Sequence, residues 1–582
     1  MRDVKHTLSV RHPVHLRGAS PVTRRKHGEK APLWEAPSEA VDLSFGRQPA
    51  ALSHRRCLAT GLLCLVTAVV DLAAAQVAVP DYDQTREGFL VFHRIRTDGQ
   101  GRLVSWADDE PGRAYDLVIR KVWDFWAGMR TDLNGLPYYM NHQVWRPGVN
   151  DPRGLGGDQL AMALSSWHLL YQYTGWESVR ENMKFIADHY IAHGFSPSDA
   201  QWPDLPFPYN TLVYSGRYDG DMILGPGYTQ PDKAGAFGDE LVTLYQMTGR
   251  RVYLDAAVKI ADTLARHVQP GDEEHSPLPF KVHAFTGEVG TLRSNAGDGS
   301  ITGRSTYTTN WVGTLQLFER LIRLQEGRTH AYQRAFELIL DWMRRVPLKN
   351  QRWGPFFEDI PGWSDTQINA VTFARFILLH RDLFPQWRQD VSSIFDWVYD
   401  RLGDDLWAAY GVRVVREQTA YLTPGNSHTA RQAAAELLYA SLTGDTSRVE
   451  HAVRQLNWAT YMVDHDGKNN YPRDEVWLTD GYGDYVRHYL RAMAAMPELA
   501  PSGQNHILDS SSILTQADYA PDFSKRLFPD VRPEEWGRVL IFYSTFDRQG
   551  TETLRLAAKP SRITLNDRIL EEVPELDREG WT

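Results

Sequence analysis

Three stretches of the chain repeat one pattern, and that repetition limits the fold more than any other feature of the sequence. YTGWESVRENMKFIADHYIAHG (173–194) and MTGRRVYLDAAVKIADTLARHV (247–268) each run Thr-Gly and then an amphipathic segment, with Ile-Ala-Asp at matching places. LTGDTSRVEHAVRQLNWATYMV (442–463) repeats the Thr-Gly opening. In the second copy Leu254, Ala257, Val258, Ala261, Leu264 and Val268 recur at helical spacing and form one apolar face. The Gly ends the helix before it, because a left-handed cap position favours a residue without Cβ. Each copy therefore reads as a helical hairpin.

The two members of each hairpin differ in kind. Segments near 158–173, 232–247, 307–325, 366–383, 428–442 and 481–495 mix apolar, small and aromatic residues all round, as helices buried on most sides do. Their amphipathic partners lie near 114–131, 176–193, 251–268, 329–346, 386–402 and 446–463. Six of each, alternating, predict an inner ring of helices inside an outer ring: a mainly α, (α/α)6 toroid over residues 114–497. A tetratricopeptide array would need a period near 34 residues and short links, and the chain has neither.

The ends differ from this body. Residues 55–76, RRCLATGLLCLVTAVVDLAAAQ, combine a basic pair, an apolar run and an Ala-x-Ala end, which predicts a secretory signal peptide over 55–75 cleaved before Gln76. The apolar run is too short to span a membrane. Residues 1–54 read as a disordered extension or a mispredicted start, and 76–113 as a lead-in. Both cysteines, Cys57 and Cys64, lie in the signal segment, so the processed chain would hold no disulfide, zinc–thiolate site or cysteine nucleophile. After Pro497 comes an expected linker (498–530). Alternating, β-branched runs broken by Gln-Gly and Asn-Asp then predict a small, partial β-rich domain over 531–582.

Charge excludes one class of partner. Residues 1–56 carry eleven Lys/Arg against five Asp/Glu, while the whole chain stands at −10, which leaves −16 beyond them. With no basic stripe, so acidic a body predicts no nucleic-acid partner. No Walker loop, dinucleotide fingerprint, HExxH or GxSxG is present, so no nucleotide cofactor, zinc protease or serine hydrolase of that type is expected. Asp464-His-Asp-Gly-Lys-Asn469 alternates oxygen ligands but lacks the distal Glu of a calcium loop, and reads as a polar turn. No metal and no cofactor is expected.

The entries to the inner helices carry the chemistry. In a toroid these helices start at one open end, so residues distant in sequence share a funnel. Asp158 enters the first; Asp219, Asp221, Tyr228, Asp232, Asp239 and Glu240 belong to the second; Tyr307, Asn310 and Trp311 open the third. Trp363, Asp365, Gln367 and Asn369 open the fourth, Asn426, His428 and Arg431 the fifth, and Asp480, Tyr482, Asp484, Tyr485 and His488 the sixth. Any one Asp is first of all a helix cap. Capping has no use for Tyr, Trp and His beside it, and that convergence points to a site.

The twelve-helix pattern and these aromatic, glycine-rich entries resemble the six-hairpin glycosidase superfamily and its (α/α)6 polysaccharide-lyase relatives over roughly residues 100–497. The resemblance implies an enzyme whose cleft binds oligosaccharide or polysaccharide. Glycoside hydrolysis needs an acid and a second carboxylate, roughly 6.5–9.5 Å apart when the configuration inverts. The expected pair is Asp232 with Asp365, with Asp158 as substitute, and Tyr228, Asp221, Asn310, Trp311, Trp363, His428, Arg431, Asp480 and Tyr485 as substrate-binding residues. A polysaccharide lyase or uronic-acid epimerase would instead draw on Asn310, His428, Arg431 and Tyr485. A secreted sugar-binding protein without catalysis would use the same aromatics. Oligomeric state is not readable.

Overall fold

The Thr-Gly repeats are three copies of one hydrogen-bonded turn. Thr174, Thr248 and Thr443 each donate from Oγ1 to the carbonyl four residues back, Leu170, Leu244 and Tyr439, at 2.7, 2.6 and 2.8 Å. Each hydroxyl also accepts the N–H two residues on, from Trp176, Arg250 and Asp445. The glycines that follow adopt left-handed φ of 67°, 68° and 75°, which turns the chain into the returning helix.

The structure is a computed structural model that describes residues 7–11, 93–132, 134–141, 157–212, 215–293, 301–356, 363–470, 481–519, 541–566, 568–576 and 579–582. Among them are twelve helices of at least twelve residues. These are α1 (Pro111–Ala127), α2 (Gly157–Thr174), α3 (Glu177–His193), α4 (Pro231–Thr248), α5 (Arg251–His267), α6 (Val312–Leu324), α7 (Thr329–Arg345), α8 (Gln367–Leu379), α9 (Trp387–Leu402), α10 (Asn426–Thr443), α11 (Val449–Thr460) and α12 (Gly481–Ala495). Helices α2, α4, α6, α8, α10 and α12 pack side by side in that order, and α12 closes back on α2. Each carries an outer partner, the first helix α1 pairing with the last, α12. This is the expected (α/α)6 toroid.

Side-chain burial separates the two rings. In α5 the buried residues Tyr253, Leu254, Ala256, Ala257, Ile260, Ala261 and Leu264 form one stripe. In α4 and α10 burial runs all round the first three turns, polar residues included. Where inner helices touch, glycine lets their backbones meet: a Cβ on Gly483 would lie 2.4 Å from Ala163 Cα, and one on Gly313 2.5 Å from Ala236 Cα. Most large rings are core, with Trp167, Trp311, Trp342, Trp353, Trp407 and Trp458 fully buried.

The segment expected to be a linker instead contributes two strands. β2 (His506–Ser510) and β3 (Leu514–Asp518) pack against α2, with β2 also on α12 and β3 on α4. They are only five residues long each and are joined by a short Ser-rich turn, and they pair with other strands rather than with each other. β4 (Phe542–Thr545) pairs with β3, and β5 (Thr551–Arg555) with β2. The other edge of β5 is covered by Thr7–Arg11 (β1, the first strand of the chain), which lies inside the segment expected to be disordered. The signal segment at 55–75 lies outside the described residues.

One buried acid sets a pH dependence of stability. Glu436 of α10 is 1% exposed, accepts from Gln432 and sits 3.3 Å from Arg448, and its burial pushes the carboxyl up to about 7. A raised folded-state value means stability that is complete below the unfolded value and lost as pH rises through about 7. Glu436→Gln is therefore expected to raise the unfolding free energy at pH 8 by about 1–3 kcal/mol and to change it little at pH 5. Urea titrations at the two pH values check this.

Candidate functional site

The inner helices run parallel, so residues at equal depth share a level on the axis, and one cavity there is lined by all six of them. Lys233, Asn310 and Phe356 line it at the helix-start end, and Arg375, Phe376, Leu379 and Arg491 line it toward the other end, where Leu379 is exposed. From the rise per residue, Asp239, Glu240, Arg375, Arg487 and Arg491 lie about 9–15 Å below the helix starts. The cavity measures about 120 Å3. At roughly 10–15 Å3 for each water it has room for about ten, the space of one sugar ring.

Its α4 wall carries two adjacent acids. Asp239 lies 3.0 Å from Arg320, which also donates to Thr243 at 2.7 Å. Burial outweighs that partner and, with Glu240 beside it, pushes the Asp239 carboxyl up to about 6. Glu240 Oε2 stands 3.5 Å from His168 Nδ1. A carboxyl raised to this range, beside a second carboxylate, is the arrangement that supplies one acid and one base near neutral pH.

Behind the wall formed by α10 and α12 lies Asp484 of α12, whose carboxylate accepts from the lining residues Arg431 of α10, Arg487, and His488 at 3.2 Å. Burial alone would raise its pKa, but Arg431 and Arg487 hold it well below the ordinary range. His488 stays neutral because burial outweighs Asp484. Arg431 also donates to Gln367 of α8 at 2.5 Å, so one network joins three inner helices.

The sequence-derived candidates divide. Asn310 and Arg431 line the well. Asp232, in the first turn of α4, is fully buried and accepts from Asn310 Nδ2 at 2.9 Å, so it orients a well residue rather than facing the well itself. Asp365 Oδ1 accepts from the N–H groups of Trp353 and Gly354 at 2.8 and 2.9 Å, and Oδ2 accepts from Trp363 Nε1 at 3.1 Å. It braces a loop and is not part of the well lining, so the expected Asp232–Asp365 pair is not what the structure assembles.

Asp221 is consumed by a fully buried pair with Lys281 at 3.1 Å and by the N–H groups of Ile223 and Leu224. Trp311 is core, bonded to Thr308 O. Tyr485 donates to Ala459 O at 2.9 Å between α11 and α12. Burial, then Arg431, lowers His428 to about 3, and it does not line the well. Tyr228 packs edge-on to His283, and Trp363 is exposed with Arg352 3.9 Å over its ring. The side chains of Asp158 and Asp480 lie outside the described residues. The Asp464–Asn469 segment is a turn closed by Asp464 N to Lys468 O, and no cluster of three metal-binding acids or histidines occurs among the described residues. No described helix is long and apolar enough to cross a membrane.

What a reading of helix entries misses is further along the helices: Arg375, Arg487 and Arg491 sit two or three turns in, while Asp239 and Glu240 were noted there without a catalytic role. A signal was present, since AVTFARFILL places one Arg in an otherwise apolar helix, where burial of a lone charge calls for a purpose.

No protein-family model and no curated protein matches the sequence. Solved structures do. A cellobiose 2-epimerase from Spirochaeta thermophila superposes with a TM-score of 0.50 at 13% identity, over 66% of this chain and 96% of that one. One from Bacillus thermoamylovorans gives 0.46 at 14%, over 64% and 97%. A family 76 glycoside hydrolase from a bovine Bacteroides thetaiotaomicron strain gives 0.44 at 11%, over 66% and 78%. The likeness is one of fold, and the fold is the six-hairpin toroid.

Proposed function

We propose that this chain is a carbohydrate-active enzyme, a glycoside hydrolase that takes one sugar unit into the axial well and works on it by carboxyl acid–base chemistry. The observation that carries this is the Asp239–Glu240 pair: two adjacent acids on the wall of a cavity the size of one sugar ring, one of them raised to about 6. Asp239 is the proton donor to the leaving oxygen and Glu240 the carboxylate that activates water. Asn310, oriented by Asp232, and Lys233, whose Nζ donates to Phe356 O at 2.8 Å, bind hydroxyls at the helix-start end of the well. A well that holds one ring favours release of a terminal sugar over cleavage within a polymer.

A second reading, elimination or epimerisation next to a carboxylate, is favoured by the guanidinium groups on the facing wall, which would stabilise an enolate. We further propose export from the cytoplasm, on the strength of residues 55–75 alone.

The test uses protein beginning at Gln76, incubated with neutral and uronic-acid oligo- and polysaccharides. New reducing ends without the ultraviolet absorbance of an unsaturated uronate are expected. That absorbance, or a new epimer without cleavage, would transfer the assignment to the second reading. No change in any sugar would remove the enzyme reading.

A further inference from the structure

The acid–base pair uses the α4 wall of the well and leaves an excess of positive charge on the other side. Arg375 of α8 and Arg491 of α12 line the cavity, and no described residue hydrogen-bonds or ion-pairs with either. Arg487 gives Nη1 to Ser165 Oγ at 2.7 Å and Nη2 to Asp484, and its Nε is buried without a partner. The Nε of Arg431 is in the same position. Asp484 is thus shared between two guanidiniums and one imidazole, and Arg375 and Arg491 are added to them uncompensated.

Three carboxylates act on these groups from a distance. Asp509 of β2 attracts Arg375, and Asp484 and then Glu240 attract Arg491, but none lies within ion-pair distance. Burial, then the neighbouring Arg487, pulls Arg375 down to about 10, and burial with Arg375 and Arg487 holds Arg491 well below the ordinary guanidinium range. An Arg side chain does not escape this cost by losing its proton under physiological conditions. Guanidiniums taken largely out of water with no ion-pair partner are costly. A chain with a cavity at that point has another way to offset the charge, which is to admit an anion. Guanidinium groups suit oxyanions in particular, because their paired N–H donors match two oxygens of one group.

We propose that the end of the well lined by Arg375, Arg487 and Arg491 is an oxyanion-binding site in which these three residues receive the acidic group of a charged sugar. The proposal rests on the carbohydrate reading and narrows it to acidic sugars, the charged group pointing down the axis and the reacting bond facing Asp239 and Glu240. The shared chemistry is an oxyanion, whether a carboxylate or a sulfate or phosphate ester.

Thermal unfolding of the full-length protein tests it, at constant ionic strength, with chloride, sulfate, phosphate, glucose, glucuronate and glucose 6-phosphate. Glucuronate or glucose 6-phosphate at saturation is expected to raise Tm by about 3 °C or more, with glucose and chloride well below that. Whichever of the two gives the larger shift identifies the carboxylate or the ester. Arg375→Met and Arg491→Met, which remove charge and keep apolar bulk, are expected to keep the fold and lose the shift. Calorimetric titration of the same variants gives an independent readout.

The site is overturned if no oxyanion exceeds chloride, or if the shift survives both substitutions. Binding of inorganic sulfate or phosphate with none of the acidic sugars would overturn the sugar assignment. The two readings fail separately: turnover of neutral glycosides without oxyanion binding sinks this site alone, whereas oxyanion binding with no sugar transformed sinks the enzyme alone.

Discussion

Glu240→Gln is expected to reduce kcat by about 10²–10⁴-fold on any sugar the protein transforms, with the melting temperature nearly unchanged. The substitution keeps shape and removes the group that activates water. Among the described residues it pairs with His168 at 3.5 Å, so little packing is lost. Asp239→Asn is expected to cost a similar factor and to change the pH profile as well. With the proton donor raised to about 6, the native rate should fall as pH rises through that value, since the acid must carry its proton to be useful. The asparagine variant should lose that alkaline limb. A rate–pH profile for the native protein and both variants decides the matter: an unchanged kcat in Glu240→Gln, or an alkaline limb that survives Asp239→Asn, would show that the pair is not the acid and base.

The different fates of the sequence readings have physical causes. Hairpins were legible because Thr-Gly turns and a 3.6-residue apolar stripe are local properties, visible in windows of some twenty residues. The α5 stripe from Leu254 to Leu264 is a direct case. The site was legible only in part. Asp232 and Asn310 were correctly placed at neighbouring helix entries, and they are hydrogen-bonded to each other. Their roles were not readable, because whether a carboxylate faces a cavity or is sealed behind an amide depends on a rotation about the helix axis that no local pattern fixes. Asp365 makes the same point, since its oxygens are taken by N–H groups eleven and twelve residues away. The charged lining escaped notice for the opposite reason. Helices that look apolar all round were read as core, yet in a toroid one side of each faces a central well, where Arg375 and Arg491 stand.

Removing the carboxylate at Asp484 is expected to have the largest effect on stability, a loss of about 3–5 kcal/mol for Asp484→Ala. One buried anion here holds Arg431 and Arg487 together, and Arg431 reaches on to Gln367, so α8, α10 and α12 are bound through a single side chain. Deleting a cation would leave the rest of the network closer to neutral, whereas deleting the anion leaves only positive groups in a closed space. Arg431→Met is therefore expected to cost less, and the double variant less than the sum of the two single losses. Denaturant titrations of the three proteins measure that coupling. Because Asp484 is held below the ordinary carboxylate range, its contribution should be full above about pH 4 and fade as pH falls further, so the native protein and Asp484→Ala should converge in stability under acid. The variant also bears on the charge excess beside it: with Asp484 gone, added sulfate should restore more stability than it adds to the native protein. Equal sulfate effects in the two proteins would mean that the ring is held by packing and that the charges in its axis are independent of one another.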